Sequence, residues 1–312
     1  MHTILGANGQ IANELALELK RNYSSDIRLV SRNPVKVNES DALFPADLTN
    51  AEKTMEAVKG SEIAYFTLGL PVDTEFWKKT FPVIMQNVID ACKKHAVRFV
   101  FFDNTYMYPQ TGIPLSEETE FAPNGEKGRV RALLATMLLN EMKVGNINGM
   151  ICRAPEFYGT RKTESITNSL VFANLKKVKK PQILLRDDKL RTLIWTPDAS
   201  KAMALLANTP DCYNQTWHLP CDDNRLTYKQ LIQLVSEIYG ETFDYKVLSK
   251  PVLMLASLFN KRIREIQELF PRYEHDNIFE STKFKTRFPN FAVTTYRQGV
   301  QQMYDESVES KR

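Results

Sequence analysis

Cysteine is scarce and unpatterned in this sequence. The 312 residues hold four, Cys92, Cys152, Cys212 and Cys221, and no two form a C-x-x-C pair. That rules out a disulfide framework and the common thiolate zinc spacings, and it points to a reducing, cytoplasmic setting. Cys92 and Cys152 fall in apolar periodic segments and read as small core residues. The four histidines (His2, His95, His218, His275) are scattered, so no metal is expected. No apolar run approaches the roughly 20 residues of a membrane span. Strand-like residues from His2 onward do not read as a signal peptide. A dominant charge is missing too: 41 basic and 37 acidic residues leave a net +4, with no electrostatic case for nucleic acid or a membrane as partner. The densest basic run, Lys176, Lys177, Lys179 and Lys180, reads as a solvated helix end. No nucleophile elbow with a Ser-His-Asp order is visible.

What the sequence does have is alternation. Short apolar runs at His2–Leu5, Ile27–Val30, Leu43–Phe44, Ile63–Thr67, Val97–Phe102 and Gly149–Cys152 are separated by helical patterns at about 10–22, 49–58, 75–95 and 127–143. Strands and helices in that order form right-handed crossovers and a parallel, doubly wound sheet. Beyond Arg153 the alternation weakens. Helices are expected over 165–177, 197–207 and 227–239, the last with Thr227 as cap and Gly240 as stop. Short strands are expected at 182–185, 191–194 and 216–219. A helical stretch over 251–270 carries an apolar stripe of Met254, Leu255, Leu258 and Phe259, read as core or a dimer face. The polar end, 306–312, is expected to fray. The fold class is therefore α/β: a Rossmann-type doubly wound parallel sheet with a smaller, mostly helical C-terminal substrate domain. Residues 1–154 form the dinucleotide-binding core, to which 189–219 return; 155–188 and 220–312 bind substrate.

The first strand runs directly into Gly6-Ala7-Asn8-Gly9-Gln10-Ile11-Ala12. Gly6 permits a tight turn, Gly9 lets backbone amides approach a pyrophosphate, and Ala12 lets the helix pack on the strand. The helix amino terminus then points free N–H groups at the phosphates. After the second strand an NAD site usually places an acid for the ribose 2′-hydroxyl. This chain has Ser31 and Arg32, a hydroxyl and a guanidinium suited to a 2′-phosphate, so the cofactor expected is NADP rather than NAD. Asp47-Leu48 after the third strand can meet the adenine; Asp47 can equally cap the helix starting near Thr49.

These residues resemble the short-chain dehydrogenase/reductase superfamily in its extended and atypical branches, the nucleotide-sugar epimerase/dehydratase and NmrA-like proteins. Gly6-x-x-Gly9-x-x-Ala12 matches the atypical turn. The resemblance places Asp47 and Leu48 at the adenine, Thr67, Leu68 and Gly69 beside the cofactor, and Asn87 in a similar helical run. Arg153–Gly159, with Pro155, looks like the stretch passing the nicotinamide. Arg191–Asp198 looks like a second shared segment, with Trp195 in place of the family's histidine. Leu226–Leu231 resembles the start of a substrate-domain helix. A dimer through the long helices and a small hydroxyl- or carbonyl-bearing substrate, a nucleotide sugar included, are what the resemblance implies.

The family's Tyr-x-x-x-Lys pair is missing. Alignment puts Lys127 at the tyrosine and Arg131 at the lysine, and no tyrosine lies between Tyr108 and Tyr158. Asn104 or Thr105 stands where a Ser/Thr would polarise the substrate oxygen. Tyr106 or Tyr108 could replace the missing acid, with Lys127 or Arg131 as the positive charge; both tyrosines could instead be packing residues. Cations in a helix's first turn oppose its dipole unless an anion compensates. Two functions follow: an NADP-dependent oxidoreductase or epimerase-like enzyme, or a non-catalytic NADP-binding, redox-sensing protein. The pairs Asp187-Asp188 and Asp222-Asp223 read as turn residues.

Overall fold

The computed structural model describes residues 1–160, 163–177 and 179–309. They form two compact units. The first comprises Met1–Met107, Glu126–Ala154 and Ala199–Leu219. Its strands are β1 (His2–Leu5), β2 (Ile27–Ser31), β3 (Ala42–Pro45), β4 (Ile63–Phe66), β5 (Arg98–Asp103) and β6 (Gly149–Arg153). A seventh, Gln215–His218, joins beside β6. The order is Gln215–His218, β6, β5, β4, β1, β2, β3, and every pairing is parallel. β1 and β4 are buried along their whole length, which is why they read as unbroken apolar runs. The order reverses between β1 and β4, the point at which such sheets open a crevice at their carboxyl ends.

Helices α1 (Gln10–Asn22), α2 (Ala51–Val58), α3 (Thr74–His95) and α4 (Glu126–Lys143) connect these strands. α1 buries Ile11, Leu15 and Leu19 at helical spacing, as its sequence predicts. α2 starts two residues later than expected because Asn50, not Asp47, caps it by accepting from Lys53 N.

The second unit comprises Tyr108–Gly125, Pro155–Asp198 and Pro220–Arg312. The stretch 108–125 thus joins the later residues, and the return to the first unit begins at Ala199 rather than 189. The unit holds three small strand pairs. Glu156–Tyr158 runs parallel to Leu193–Trp195, Leu190–Arg191 antiparallel to Leu226–Thr227, and Lys246–Leu248 parallel to Gln182–Leu184. The expected strand at 191–194 is split at Thr192 because its halves pair with different partners. Helix Tyr228–Tyr239 has a full capping box, Thr227 with Gln230, and ends on Gly240 at φ +71°. The expected helix at 165–177 holds π-helical turns over Asn168–Phe172 before Ala173–Lys176.

The helical stretch expected at 251–270 is broken into Lys250–Ser257, Lys261–Ile266, a 3-10 turn at Gln267–Leu269 and Phe270–Glu274. Asn260 stops the continuation by capping the second piece, accepting from Arg262 N and Ile263 N. Of the polar end expected to fray, 306–309 continue helix Tyr296–Glu309, and 310–312 lie outside the described residues. All four cysteines are buried. Among the described residues no helix is long and apolar enough to cross a membrane, and no cluster of His, Cys, Asp or Glu could hold a metal.

Candidate functional site

The carboxyl edge of the first unit's sheet collects most of the residues singled out in the sequence. At the end of β1 the chain reverses with Gly6 at φ +98°, its amide and that of Ala7 donating to Val30 O at 3.0 and 2.9 Å. A Cβ on Gly6 would lie 2.5 Å from Leu68 Cα, so the turn and the β4 exit can touch only through glycine. Gly9 is different. It sits at φ −75°, ψ 161°, a conformation open to any residue, and caps α1 without a side-chain bond. A Cβ there would meet nothing nearer than Gly6 O at 3.6 Å. Its glycine therefore serves no conformational need and leaves clear space over the first turn of α1. Ile11 and Ala12 are buried in the core, so that turn offers backbone amides rather than side chains.

Asn8 holds the turn in place. It adopts φ +77°, donates through Nδ2 to Asn33 O at 2.7 Å and Ser31 Oγ at 3.4 Å, and accepts from Val35 N at 2.9 Å. The loop after β2 is thereby tied to the glycine turn, with Ser31 half-buried and Arg32 exposed at its start. Asp47, after β3, accepts from Thr49 N at 2.9 Å and Thr49 Oγ1 at 2.8 Å. The backbone bond, then the hydroxyl, and finally the field of Arg32 hold its carboxyl below the usual range. Arg32 and Asp47 thus share one corner of the edge. Leu48 is fixed from behind: Asn87 Nδ2 on α3 donates to its carbonyl at 2.9 Å. Thr67 donates through its amide to Leu5 O at 2.9 Å, joining the ends of β1 and β4; Leu68 is half-buried and Gly69 exposed. Pro155 belongs to the second unit.

At the exit of β5, Asp103 is the hub. Arg131, one turn into α4, donates through Nε and Nη2 to Asp103 Oδ1 at 2.8 and 2.5 Å, and Arg153 Nε lies 3.5 Å from Oδ2. Arg131 is 4% exposed and its guanidinium lies against the rings of Phe81 and Phe101. Arg131, offered in the sequence as a positive charge beside the substrate, is thus committed to a buried ion pair. Asp103 Oδ1 also accepts from Asn104 N at 2.8 Å, and Asn104 Oδ1 from Tyr106 N at 2.9 Å. That chain fixes the turn and leaves the Asn104 Nδ2 amide as its donor group. Thr105 is buried.

Lys127 is buried as well, with Nζ donating to Thr74 Oγ1 at 2.7 Å. Tyr106, half-buried, stacks on Trp77 with centroids 6.3 Å apart and planes 12° from parallel. Thr74 and Trp77 are three residues apart on the first turn of α3, hence on one face. Lys127 and Tyr106, from different segments, therefore dock on adjacent positions of the same helix. Nothing in their own sequence spacing announced this, because the common partner lies 53 residues before Lys127. Tyr108 packs edge-on against Phe121, and burial pushes the Tyr158 phenol well above its ordinary range.

The second unit contains a buried polar cluster that sequence reasoning missed. Glu156 Oε1 accepts from Thr167 N and Oγ1 at 2.7 and 2.8 Å, and Oε2 accepts from Tyr273 Oη at 2.8 Å. Arg191 Nη2 lies 3.8 Å from Oε2, with the guanidinium 4.5 Å from the Tyr273 ring centroid. The shared segments Arg153–Gly159, which holds Glu156, and Arg191–Asp198 were the signals that pointed to it. Asp198 accepts from Thr294 N at 2.6 Å, Asp187 from Tyr245 Oη at 2.7 Å and Asp222 from Asn224 N at 3.0 Å, uses that are structural.

A parallel seven-stranded sheet with a glycine turn at its point of reversal defines a Rossmann-type protein. The sequence places it further. The profile of the NAD dependent epimerase/dehydratase family matches residues 2–217, and the chain belongs to that family. Solved structures share the fold over the whole length. UDP-glucuronic acid 4-epimerase from Bacillus cereus in complex with NAD is 14% identical, covering 100% of both chains with a TM-score of 0.78. UDP-N-acetylglucosamine 4-epimerase from Bacillus cereus is 13% identical, with 98% of both chains covered and a TM-score of 0.76. UDP-glucose 4-epimerase of Thermus thermophilus, complexed with NAD, is 13% identical, with 99% of both chains covered and a TM-score of 0.77. No curated protein matches the sequence.

Proposed function

We propose that this chain is an NADP-dependent oxidoreductase of epimerase/dehydratase type, acting on a small hydroxyl- or carbonyl-bearing substrate, with nucleotide sugars as the first class to try. The observation that carries this reading is the edge where the clear space over Gly9 adjoins a β2 exit bearing Ser31 and Arg32 and no carboxylate. A pyrophosphate fits the first, where a Cβ would meet only one distant carbonyl. A 2′-phosphate fits the second, with Arg32 exposed to receive it. When bound, the nicotinamide supplies or accepts the hydride. The chain's own groups do the rest. The Asn104 amide orients the substrate oxygen. The Tyr106 phenol exchanges the proton, and the Lys127 ammonium, docked on the same turn of α3, provides the positive charge that favours the phenolate. Arg131 is a positioning residue: through Asp103 it braces the turn that carries Asn104.

The test is NADPH oxidation against a panel of carbonyl compounds and nucleotide sugars. Wild type should turn over at least one, and Tyr106→Phe should lower kcat by about 10²–10⁴-fold with NADP affinity unchanged. No turnover on the panel with intact NADP binding would overturn the enzymatic reading in favour of a non-catalytic NADP sensor. One observation favours that second reading: the residue at the family's lysine position, Arg131, is buried against Asp103 and serves the fold.

A further inference from the structure

The buried polar cluster of the second unit is short of one negative charge. At its centre Glu156, Arg191 and Arg272 are 9%, 2% and 7% exposed. Tyr228 and Tyr273 both feel these same three charges, two cations and one anion. Glu156 accepts three hydrogen bonds, two from Thr167 and one from Tyr273, as an ionised carboxylate does. The acids that follow Arg272 in the chain turn elsewhere: Glu274 pairs with Lys250 at the surface, and Asp276 Oδ1 accepts from Leu190 N at 2.9 Å. An excess charge in a protein interior is costly until a counter-charge meets it. The donors show where one would sit. Arg191 Nη1 donates to Arg272 O. Nε and Nη2, which share one edge of the guanidinium, meet no acceptor, and neither does Arg272 Nε. Glu156 does not fill that edge, because its Oε2 stands 3.8 Å from Arg191 Nη2, beyond hydrogen-bond reach. The same edge of Arg131 shows its use: Nε and Nη2 both donate to the Asp103 carboxylate, at 2.8 and 2.5 Å.

We propose that this cluster binds the carboxylate group of a small molecule. Two N–H groups side by side match a carboxylate's two oxygens, and Arg272 Nε supplies a third donor. One negative charge brings the three-charge cluster to zero. Charge also sets the ligand class: inorganic phosphate, mostly a dianion at about pH 8, would leave an uncompensated negative charge in the core. Chloride balances the charge but offers one centre where the fork presents two N–H groups. Every residue involved belongs to the second unit, so the proposal stands apart from the reading of the NADP edge.

Saturation-transfer NMR and thermal unfolding of the full-length protein, titrated with sodium acetate against sodium chloride at matched ionic strength, test the proposal. The acetate methyl should receive saturation from wild type, and the melting temperature should rise with acetate more than with chloride. Arg191→Lys keeps the charge and removes the fork, so it should weaken acetate binding at least about ten-fold, the worth of one charge-assisted hydrogen bond. Arg272→Lys removes only the third donor and should weaken binding about ten-fold, so the test does not hang on one variant folding. Arg297→Lys, at a surface pair with Glu237, should bind acetate as wild type does. Phosphate should bind more weakly than acetate at about pH 8. No saturation transfer to acetate overturns the proposal. So does an equal response to chloride, which would make the cluster a site for an adventitious ion only. Acetate binding undiminished in Arg191→Lys and Arg272→Lys, or phosphate binding tighter than acetate, overturns it as well.

Discussion

Two glycines three residues apart in the turn after β1 should fail in different ways when given a methyl group. Gly6 is at φ +98°, where an L side chain is strained by about 1–3 kcal/mol. Its new Cβ would also overlap Leu68 Cα and N at 2.5 and 2.6 Å, backbone atoms that cannot swing aside. Overpacking of that kind adds about 1–3 kcal/mol, so Gly6→Ala should lose roughly 2–6 kcal/mol. For a protein of this size that is a melting-temperature drop of roughly 3–9 °C. Gly9→Ala has neither cost: its backbone is extended and the only neighbour is at 3.6 Å. Its stability should change by less than about 1 kcal/mol, the cap difference alone. On the proposed function the methyl would nevertheless stand where phosphate approaches the amides. Losing one charge-assisted bond, about 1.5–3 kcal/mol, should raise the NADP Kd about 10–150-fold. Differential scanning fluorimetry and calorimetric titration read the two effects separately. A Gly6→Ala protein as stable as wild type, or a Gly9→Ala protein that binds NADP equally well, would refute the reasoning.

Three further outcomes follow from the packing. Arg131→Met should destabilise the fold by about 3 kcal/mol in urea unfolding, because it leaves the buried Asp103 with only the longer Arg153 pair, and Asp103→Asn in the same chain should recover part of the loss. Gly299→Ala in helix Tyr296–Glu309 should destabilise by about 1–3 kcal/mol despite alanine's better helix propensity, since its Cβ would meet the buried Tyr158 hydroxyl at 2.6 Å and ring at 2.7 Å; a more stable variant would show that the side chain yields. Burial, and next the amino-terminal charge, lower the His2 pKa, so the unfolded chain takes up a proton near 6.5 that the folded one resists. Stability should therefore rise with pH between about 5 and 7, and His2→Gln should flatten that slope; an unchanged slope contradicts the assignment.

How much of this was legible in the sequence depends on how local its cause is. β1, the Gly6–Ala12 turn and α1 carry their own signals: an apolar run, glycines at fixed offsets and helical spacing of Ile11, Leu15 and Leu19. Thr227, Gln230 and Gly240 mark a helix by caps that lie within it. The break at Asn260 was written in a capping residue, but the apolar run around it masked the stop. Helix Tyr296–Glu309 is polar on most of its surface and is held by distant partners, such as Tyr296 Oη accepting from Leu193 N, so its pattern was weak. The same holds at the site. Ser31, Arg32 and Asp47 could be placed from strand ends, whereas the burial of Lys127 and Arg131 depends on Thr74 and Asp103, contacts 53 and 28 residues away. A cation count cannot tell a solvated helix face from a buried pair.

The central claim is that the carboxyl edge of the sheet selects NADP through Arg32. Calorimetric titration of wild type and Arg32→Ala with NADP and NAD tests it most directly. The account predicts that wild type binds NADP at least about ten-fold tighter than NAD, a difference of one charge-assisted phosphate contact, and that Arg32→Ala abolishes the preference while still binding NAD. Equal or tighter binding of NAD by wild type, or a preference that survives in Arg32→Ala, would contradict it.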